Sequence, residues 1–368
     1  MIACPTKAIS MEETREGFLF PQIDPAQCIN CGRCSRVCPV TAPLPPMDNQ
    51  PTAYAAHAAD PQLRASGSSG GIFATLAQHI LSLGGVVVAC ATTDDCRQAE
   101  HILVTKPEDL PKVMGSKYLQ SSAFVSFDHI RQHLSENTPV LFCGTPCQTA
   151  GLKSLLRDTD TSNLYTIDLI CHGVASPLVW RKYLTQLEAD MGSKAVSVQF
   201  RNKKHGWKKF SLSILFQNGA EFSEVISKNL YLSGFIGDYF LRTSCYNCQN
   251  KGNHHSADIT LGDFWGLSAV LPELDNDLGT SLVLINTEAG AQLFSAVSDS
   301  ISVTKTDMAA ALQSNPNYYR SSSKTKLRAA FMRRLHRKPI HILLQDFCGT
   351  NLISKLRRKI MKMAGNVL

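Results

Sequence analysis

The sequence predicts a protein of mixed α+β and α/β class: a small cysteine-rich module, then a larger mixed α/β body, then a basic helical tail. Three observations predict this arrangement. Four cysteines lie close together between residues 28 and 38. Several apolar runs of strand length are each followed or preceded by a helical pattern. Asn218 and Gly219 stand between two further apolar runs, which predicts a β-hairpin inserted in the body.

The first element is a ferredoxin-like module, predicted from cysteine spacing. Four cysteines have the C-x2-C-x2-C-x3-C-P spacing of a bacterial ferredoxin: Cys28, Cys31, Cys34 and Cys38. This spacing ligates a 4Fe–4S cluster. Zinc ribbons separate two CxxC pairs by a longer insert and fit less well, and a disulfide set is the remaining alternative. We therefore predict a ferredoxin-type 4Fe–4S module over residues 1–42.

The N-terminal end of this module is expected to be incomplete. Cys4, followed by proline, has the position of the last cysteine of a second run whose first three would precede Met1. In two-cluster ferredoxins the fourth cysteine of each run ligates the other cluster, so Cys4 should complete the cluster of Cys28, Cys31 and Cys34. Cys38 is then spare. A start site assigned too late and a real loss of one cluster both explain this, and Met1 inside a motif favours the first.

Composition and charge predict a cytoplasmic protein. The chain has 368 residues with 13 cysteines, no apolar run of about 18 residues and no signal-peptide pattern, so reduced, metal-binding thiols are expected. The net charge is +7, but residues 321–368 carry twelve Lys or Arg and one acid, or +11, which leaves −4 for the remainder. Two amphipathic helical stretches, 324–338 and 352–363, lie in this tail, assigned as 307–368. They are expected to dock on their own domain or, alternatively, to contact an acidic partner or a membrane surface.

The body is predicted from alternating elements. Residues 43–63 are rich in Pro and Ala and are interpreted as a linker. The predicted helices are 72–83, 149–157, 177–190 and 288–298, and the predicted strands are 86–89, 139–143, 164–170, 196–201, 210–216, 221–226, 257–262 and 281–286. Ligands of open α/β sheets bind at the carboxyl ends of the strands, and loops with cysteines follow two of these strands.

Two loops of the body are candidate cofactor sites. The run SGSSGG at 66–71 precedes a helix, so its backbone and hydroxyl groups are suited to a phosphate, although a flexible linker has the same composition. The candidates there are Ser68, Ser69, Gly70 and Gly71. The loop at 115–121 offers Lys117 as a cation for a flavin or its pyrophosphate, and an exposed turn is the alternative.

A second 4Fe–4S cluster is predicted in the body. Cys147 and Cys171 follow two strands, and a distant CxxC pair, Cys245 and Cys248, needs two further ligands. Cys143 is the alternative to Cys147. His172, His254 and His255 are considered as replacement ligands, and Cys90, Cys96 and Cys348 are interpreted as structural.

The order of these motifs resembles the coenzyme F420 hydrogenase/dehydrogenase beta-subunit family. The resemblance covers roughly residues 60–320 and is carried by SSGG at 68–71, GSKY at 115–118, GTPCQ at 144–148, DLICHG at 168–173, SCYNC at 244–248, DITLGDFWG at 258–266 and GTS at 279–281. It implies an N-terminal-type region over 64–132 and a C-terminal-type FAD and iron–sulfur region over 133–306. It implies FAD bound by Ser68, Ser69, Gly70, Gly71, Lys117, Tyr118 and Thr145.

The resemblance implies an iron–sulfur flavoprotein oxidoreductase. FAD would exchange a hydride with a soluble carrier such as F420, or reduce a small organic substrate, and pass single electrons to the clusters. Ferredoxin or another redox protein is the expected partner. A non-catalytic electron-transfer subunit is the alternative, and nucleic-acid binding by residues 201–209 or the tail is not expected. No catalytic residue is assigned, and the candidates are Lys117, Asp168, His172 and Asp263.

Overall fold

The strands of the described residues form three sheets. The computed structural model describes residues 2–48 and 50–364. Its strands are β1 (Ile9–Glu13), β2 (Leu19–Ile23), β3 (Thr52–Ala58), β4 (Val86–Thr92), β5 (Ala99–Val104), β6 (Ser121–Ser122), β7 (Val140–Cys143), β8 (Leu164–Leu169), β9 (Ala195–Asn202), β10 (Ser211–Phe216), β11 (Glu221–Val225), β12 (Ile259–Asp263), β13 (Ser281–Ile285) and β14 (Ile301–Thr306).

The α-helices lie between these strands and in the C-terminal tail. They are α1 (Arg33–Arg36), α2 (Pro61–Ser66), α3 (Ile72–Ser82), α4 (Leu110–Val113), α5 (Phe124–Ser135), α6 (Pro146–Leu155), α7 (Pro177–Met191), α8 (Leu230–Ile236), α9 (Leu267–Val270), α10 (Glu288–Ser295), α11 (Met308–Leu312), α12 (Arg328–Arg334), α13 (Ile340–Cys348) and α14 (Leu352–Ala364). Across the described ranges, no helix is both long and apolar enough to cross a membrane.

A nine-stranded mixed sheet forms the body, with the strand order β14-β3-β13-β12-β8-β7-β4-β5-β6. Strands β4, β7, β8 and β12 are neighbours and run parallel to one another. Helices α5 and α6 cover one face of this part and α3 covers the other, each with apolar side chains. The carboxyl ends of β7, β8 and β12 therefore meet at one edge, and the loops that follow them lie side by side.

The predicted hairpin is present. Strands β10 and β11 pair antiparallel across the turn at Asn218 and Gly219, and β9 pairs with the other side of β10. Buried aromatic side chains join this three-stranded sheet to the helices: the rings of Trp180 and Phe200 lie 4.7 Å apart, and those of Trp180 and Tyr231 lie 5.1 Å apart. The mixed α/β class predicted from the sequence is confirmed.

The N-terminal module docks on the body through the turn of its β1–β2 hairpin. Phe18, at this turn, is 1% exposed and belongs to the main apolar core. The backbone N–H of Leu19 donates to Oε1 of Gln120 at 2.9 Å. Arg328 of α12 pairs with the Glu16 carboxylate at 2.6 Å. Module, body and tail therefore share one buried interface.

Two helices of the basic tail, α12 and α13, contribute side chains to the main core. Phe331 of α12 is fully buried in the main apolar core, as expected if the first predicted stretch docks on its own domain. Leu343, Leu344 and Phe347 of α13, a helix that was not predicted, are buried there as well. In the second predicted stretch, 352–363, four apolar residues are exposed instead: Leu352, Ile353, Leu356 and Ile360. The first helix is shorter than the predicted 324–338. Its first residue is Arg328, and Pro339 prevents continuation into α13.

The linker predicted over residues 43–63 is wrong for most of its length. Residues 52–58 form β3, which lies inside the large sheet between β13 and β14, and α2 begins at Pro61. The alanines of β3 are almost fully buried: Ala53, Ala55, Ala56 and Ala58. A strand covered on both faces has no polar–apolar alternation, and small side chains do not resemble the usual β-branched pattern. Because of this composition, residues 52–58 were interpreted as part of the linker.

Candidate cofactor cleft and cysteine clusters

A cleft of about 510 Å³ opens at the carboxyl ends of the parallel strands. Its walls come from the loop before α3, the loop at 115–121, the ends of β7, β8 and β12, and β9. Such a volume is typical of sites for small molecules and cofactors, which range over roughly 300–1,000 Å³. Six of the seven predicted cofactor-binding residues line it: Ser68, Ser69, Gly71, Lys117, Tyr118 and Thr145.

The serine–glycine loop is held in place by hydrogen bonds, unlike a flexible linker. The hydroxyl of Ser68 accepts from the backbone N–H of Ser116 at 2.6 Å, and the hydroxyl of Ser69 donates to the Thr280 carbonyl at 2.9 Å. Helix α3 begins directly behind the loop, so its first N–H groups have no intrahelical partner and its dipole favours an anion.

Gly70 is the predicted residue that does not line the cleft. Its N–H donates to the hydroxyl of Ser281 at 2.9 Å, and the residue lies against the sheet. A Cβ at this position would come 2.5 Å from the Ala56 carbonyl oxygen. Gly70 therefore allows the loop to approach β3 and β13 closely, which positions the neighbouring serines.

Lys117 and Tyr118, next to Ser116, also line the cleft. The Lys117 ammonium donates to the Met114 carbonyl at 2.8 Å, and burial lowers the pKa of this amine to about 8, with the Cys90 and Cys143 side chains acting in the opposite direction. The Tyr118 ring is stacked on Phe235 with 4.6 Å between centres. Burial raises the pKa of Tyr118, and a charged neighbour, Arg201, opposes that shift.

A buried ion pair was missed by the sequence analysis. Arg201 of β9 is the first residue of the 201–209 stretch considered above for nucleic-acid binding. It pairs with the carboxylate of Asp263 at the end of β12, and both side chains line the cleft. The Trp207 indole N–H donates to the same carboxylate at 3.3 Å. Burial alone would lower the pKa of Arg201, but Asp263 raises it above the ordinary value. Arg201 therefore stays protonated, and its charge is paired with the Asp263 carboxylate in the wall of the cleft.

Two further residues of the 201–209 stretch, Lys203 and Trp207, contact the interior of the body. The Lys203 ammonium donates to three backbone carbonyls, those of Arg64, Ser69 and Leu278. The ring of Trp207 is stacked on that of Trp265 at 4.5 Å. These contacts direct Lys203 and Trp207 inward, whereas Lys204 and His205 between them are exposed, so periodicity alone did not reveal the role of this stretch.

The four cysteines predicted for the inner cluster lie together beside the cleft. Cys171 follows β8 and lines the cleft, and Cys147 is in the first turn of α6. Cys245 lies within a short 3-10 turn, and Cys248 directly follows it. Burial raises the pKa of Cys171, and the thiols of Cys245, Cys147 and Cys248 add to this effect. Burial raises the pKa of Cys245 to about 11, with Cys147 and Cys248 contributing. Each thiol is thus within electrostatic range of the others.

Cys143 faces a different environment. Burial raises the pKa of Cys143 to about 12, and its charged neighbours are Asp168, Cys90 and Lys117, not the other predicted ligands. Cys147, by contrast, lies 3.2 Å from the Thr145 hydroxyl oxygen. Cys90, interpreted from the sequence as structural, also lines the cleft.

Polar groups surround the inner cysteines. The Lys251 ammonium donates to the Cys171 carbonyl at 2.6 Å, and the Cys248 N–H donates to the hydroxyl of Ser321 at 2.9 Å. Burial lowers the pKa of Arg242, and the neighbouring Cys147 and Cys245 oppose that shift.

Over the described residues, no group of three or more His, Cys, Asp or Glu is arranged to hold a single metal ion. A 4Fe–4S cluster differs, because its four thiolates bind four different irons. The donor set and its cationic surroundings fit such a cluster.

The N-terminal cysteines form a second group. A small pocket in the module is lined by Cys4, Cys28, Cys31 and Cys34, the four residues predicted to share one cluster. Asn30 and Gly32 have positive φ, which turns the chain tightly between these cysteines. Cys38 is not among the residues that line this pocket.

The histidine candidates have other partners. His172 lines the cleft, and its Nε2 lies 2.8 Å from the Asp238 carboxylate. Nδ1 of His255 lies 2.8 Å from the carboxylate of Asp168, and both side chains are completely buried. His254 lies in a separate 3-10 turn. Among the four candidate catalytic residues, Lys117, His172 and Asp263 line the cleft, whereas Asp168 does not.

Three parts of the chain match known protein families. Residues 53–127 match the sequence model of coenzyme F420 hydrogenase/dehydrogenase, beta subunit N-term. Residues 138–310 match the model for the C terminus of the same beta subunit. Residues 1–42 match a 4Fe-4S dicluster domain. No curated protein is similar enough in sequence to match the chain.

One solved structure is similar over much of the chain. It is a chain of the xenon-derivatised F420-reducing NiFe hydrogenase complex from Methanosarcina barkeri. The TM-score is 0.49 with 18% sequence identity, over 70% of this chain and 83% of that one.

Proposed function

The chain belongs to the coenzyme F420 hydrogenase/dehydrogenase beta-subunit family and carries a 4Fe–4S module, and from this premise we propose that it is an iron–sulfur flavoprotein oxidoreductase. The proposal adds FAD in the cleft and a 4Fe–4S cluster on Cys147, Cys171, Cys245 and Cys248. Its single strongest support is that the cleft and the inner cysteines share a residue, Cys171. Two redox groups side by side allow electrons to pass between them.

The residues of the cleft suit a flavin dinucleotide. The α3 N-terminus, with the hydroxyls of Ser68 and Ser69, would bind the pyrophosphate, since free N–H groups and hydroxyls are ready donors to anionic oxygens. Lys117 adds a positive charge below about pH 8. The aromatic side chains of Tyr118 and Trp265 supply flat apolar surface for a ring system.

FAD would supply the conversion between two-electron hydride transfer and the one-electron chemistry of the clusters. The protein's own part is to bind, to orient and to exclude water. His172 and the Arg201–Asp263 pair line the same cleft and can hold a substrate's polar groups by hydrogen bonds. A soluble hydride carrier such as F420 or a small organic molecule would enter there, and ferredoxin or another redox protein would meet the N-terminal module.

We also propose the domain boundaries. The ferredoxin-type module occupies 1–42, the C-terminal-type region 133–306 and the basic tail 307–368. The N-terminal-type region, expected over 64–132, is extended to 52–132, because β3 and α2 belong to the body. The connecting segment is thereby shortened to 43–51.

The second candidate function is a non-catalytic electron-transfer subunit of a larger redox complex. It is favoured by the two cysteine groups alone, which would carry single electrons without any flavin. The two functions make different demands on the cleft, because only the first requires it to bind FAD and a hydride carrier.

Anaerobic purification with quantitation of iron, sulfide and flavin tests the proposal. Two 4Fe–4S clusters and a flavin correspond to about eight irons and one FAD per chain. The isolated chain should also reduce or oxidise a hydride carrier, followed by the flavin absorbance under anaerobic conditions. About eight irons with no flavin, and no hydride exchange after FAD is added, would establish the electron-transfer subunit instead.

A further inference from the structure

Helix α14 docks on the body with a mostly polar side, on which Met361 is the apolar residue that packs against the main core. The Ser354 hydroxyl donates to the Gln345 carbonyl at 2.7 Å, and Ser354 is fully buried. Arg357 pairs with the Asp346 carboxylate, and Arg358 donates to the Phe347 carbonyl at 3.1 Å. Hydrogen bonds and an ion pair therefore orient α14 against α13.

The opposite side of α14 is apolar and faces away from the body. We name it the outward face and define it by four residues with their exposed fractions: Leu352 81%, Ile353 63%, Leu356 57% and Ile360 57%. Their spacing places them on one side of a helix about 20 Å long. An ordinary surface helix turns its apolar side to the core, so α14 has the reverse orientation. No residue that the structure describes covers the outward face.

The helix is also strongly cationic. Five basic residues and no acidic residue lie within it: Lys355, Arg357, Arg358, Lys359 and Lys362. Lys355 and Lys359 are exposed and lie at the border of the outward face. On the body side, Asp346 is shared by Lys338 and Arg357, so its single negative charge leaves an excess of positive charge there.

We propose that α14 is an interfacial anchor that binds the surface of an anionic membrane. The helix would lie parallel to the surface, with the outward face among the acyl chains and Lys355 and Lys359 at the level of the lipid head groups. A stripe of Leu and Ile bordered by lysines is the pattern of helices that bind in this way, and long lysine side chains reach water from a partly buried position.

Two other occupants fit less well. A second copy of the chain would bring two strongly cationic helices together, which costs free energy by repulsion. A protein partner with an acidic groove would match the charge, but protein interfaces favour aromatic residues and avoid lysine. The outward face has no aromatic residue and lysines at its border, and it is convex, so it suits a fluid surface that needs no shape complementarity.

Vesicle co-sedimentation of the full, cluster-loaded chain tests the anchor. Vesicles of phosphatidylcholine with phosphatidylserine should bind the protein at low ionic strength, and vesicles of phosphatidylcholine alone should bind it at least roughly tenfold more weakly. The double substitution L356N/I360N should reduce the partition coefficient by about tenfold or more, and K355Q/K359Q should reduce it for anionic vesicles. The matched control is V125N, which changes a residue that is 61% exposed on α5.

Each variant is first compared with the unmodified chain by circular dichroism melting and iron content, so that loss of fold is not mistaken for loss of binding. Binding that survives L356N/I360N, or no binding to anionic vesicles by the unmodified chain, would overturn the proposal. An acidic protein partner would replace it if immobilised polyglutamate captured the chain equally with and without L356N/I360N while vesicles did not.

Discussion

The guanidinium carbon of Arg242 lies 4.1 Å from the centre of the Phe20 ring, a cation–π contact that joins the N-terminal module to the inner cysteine group. Arg242 follows the short bridge between Leu241 and Ala175 and is close to Cys147 and Cys245. One side chain therefore contacts the surface of the module and contributes positive charge at the proposed inner cluster.

Replacing Arg242 should lower the reduction potential of the inner cluster. A positive charge stabilises the more negative, reduced cluster, so R242Q should shift the potential down by roughly 60 mV, or about 1.4 kcal/mol. An EPR-monitored redox titration measures it. R242K should have a reduction potential close to that of the unmodified chain, because lysine retains the positive charge. R181Q, which removes another arginine in contact with the module through Glu13, is the control and should leave the potential unchanged. An unchanged potential in R242Q would show that the charge does not act on the cluster.

Cysteine substitutions should distinguish the proposed ligands of the inner cluster from Cys143, the alternative to Cys147. C147A and C171A should each lower the iron content by about four atoms per chain, because a 4Fe–4S cluster is lost as a unit. C143A is the matched control, since Cys143 lies beside Cys90 and Lys117 and should retain the iron. Iron and sulfide quantitation after anaerobic purification gives the answer. If C143A loses the iron and C147A keeps it, the assignment is reversed.

In the N-terminal module, Cys4 and Cys38 should behave differently. C4A should lose the ferredoxin-type cluster, because Cys4 lines the same pocket as Cys28, Cys31 and Cys34. C38A should keep it, since Cys38 is not a lining residue of that pocket. EPR spectra of the reduced protein distinguish the two outcomes. Equal loss in both variants would mean that Cys38 also supports the cluster.

FAD affinity should decrease as the pH rises through about 8. The pKa of Lys117 is lowered to about 8, so its ammonium is charged below that pH and neutral above it, while the nearby Cys90 and Cys143 thiols and His101 remain mostly neutral at pH 8. Loss of this charge should weaken FAD binding by roughly fivefold to tenfold between pH 7 and pH 9. Fluorescence titration of the flavin measures it. K117R should bind FAD with an affinity that does not change between pH 7 and pH 9. If the pH dependence of FAD binding persists in K117Q, another titrating group causes it.

Two glycine-to-alanine substitutions should change stability in opposite directions. G70A places a Cβ 2.5 Å from the Ala56 carbonyl oxygen and should lower the free energy of unfolding by about 1–3 kcal/mol. G151A, inside α6 and with no atom within 4 Å of the new Cβ, should raise it by about 0.5–1 kcal/mol. Denaturant unfolding monitored by circular dichroism measures both. Equal stability of G70A and the unmodified chain would show that the loop can move away from β3.

The parts predicted correctly from sequence depended on local patterns. The helical spacing of residues 72–83 and the Asn218–Gly219 turn are signals within a few residues, and both elements are present. Cys147 and Cys171 could be placed near each other because β7 and β8 are parallel neighbours and strand ends of one direction share an edge. Physical rules of this kind need no knowledge of distant contacts.

The features that were not predicted from the sequence depend on contacts between residues far apart in the chain. Arg201 and Asp263 are separated by 62 positions, and no periodicity near either residue predicts the pair. Strand β3 was not predicted because its alanines are also common in loops. They indicate a buried strand only once the helices that cover the sheet are known. Burial of the first predicted tail stretch, which contains α12, was one of two open alternatives, since an amphipathic helix suits both its own core and another surface. Helix α13 lies between the two predicted stretches and was not predicted.

The Glu16–Arg328 pair and the burial of Phe18 have a consequence for how the module can work. A domain on a free tether would swing between donor and acceptor, and its rate of delivery would depend on solvent viscosity. Here Arg328 of the C-terminal region binds the hairpin of the N-terminal module, so a cluster in the module would transfer electrons from a position that depends on a helix more than 300 positions away along the chain.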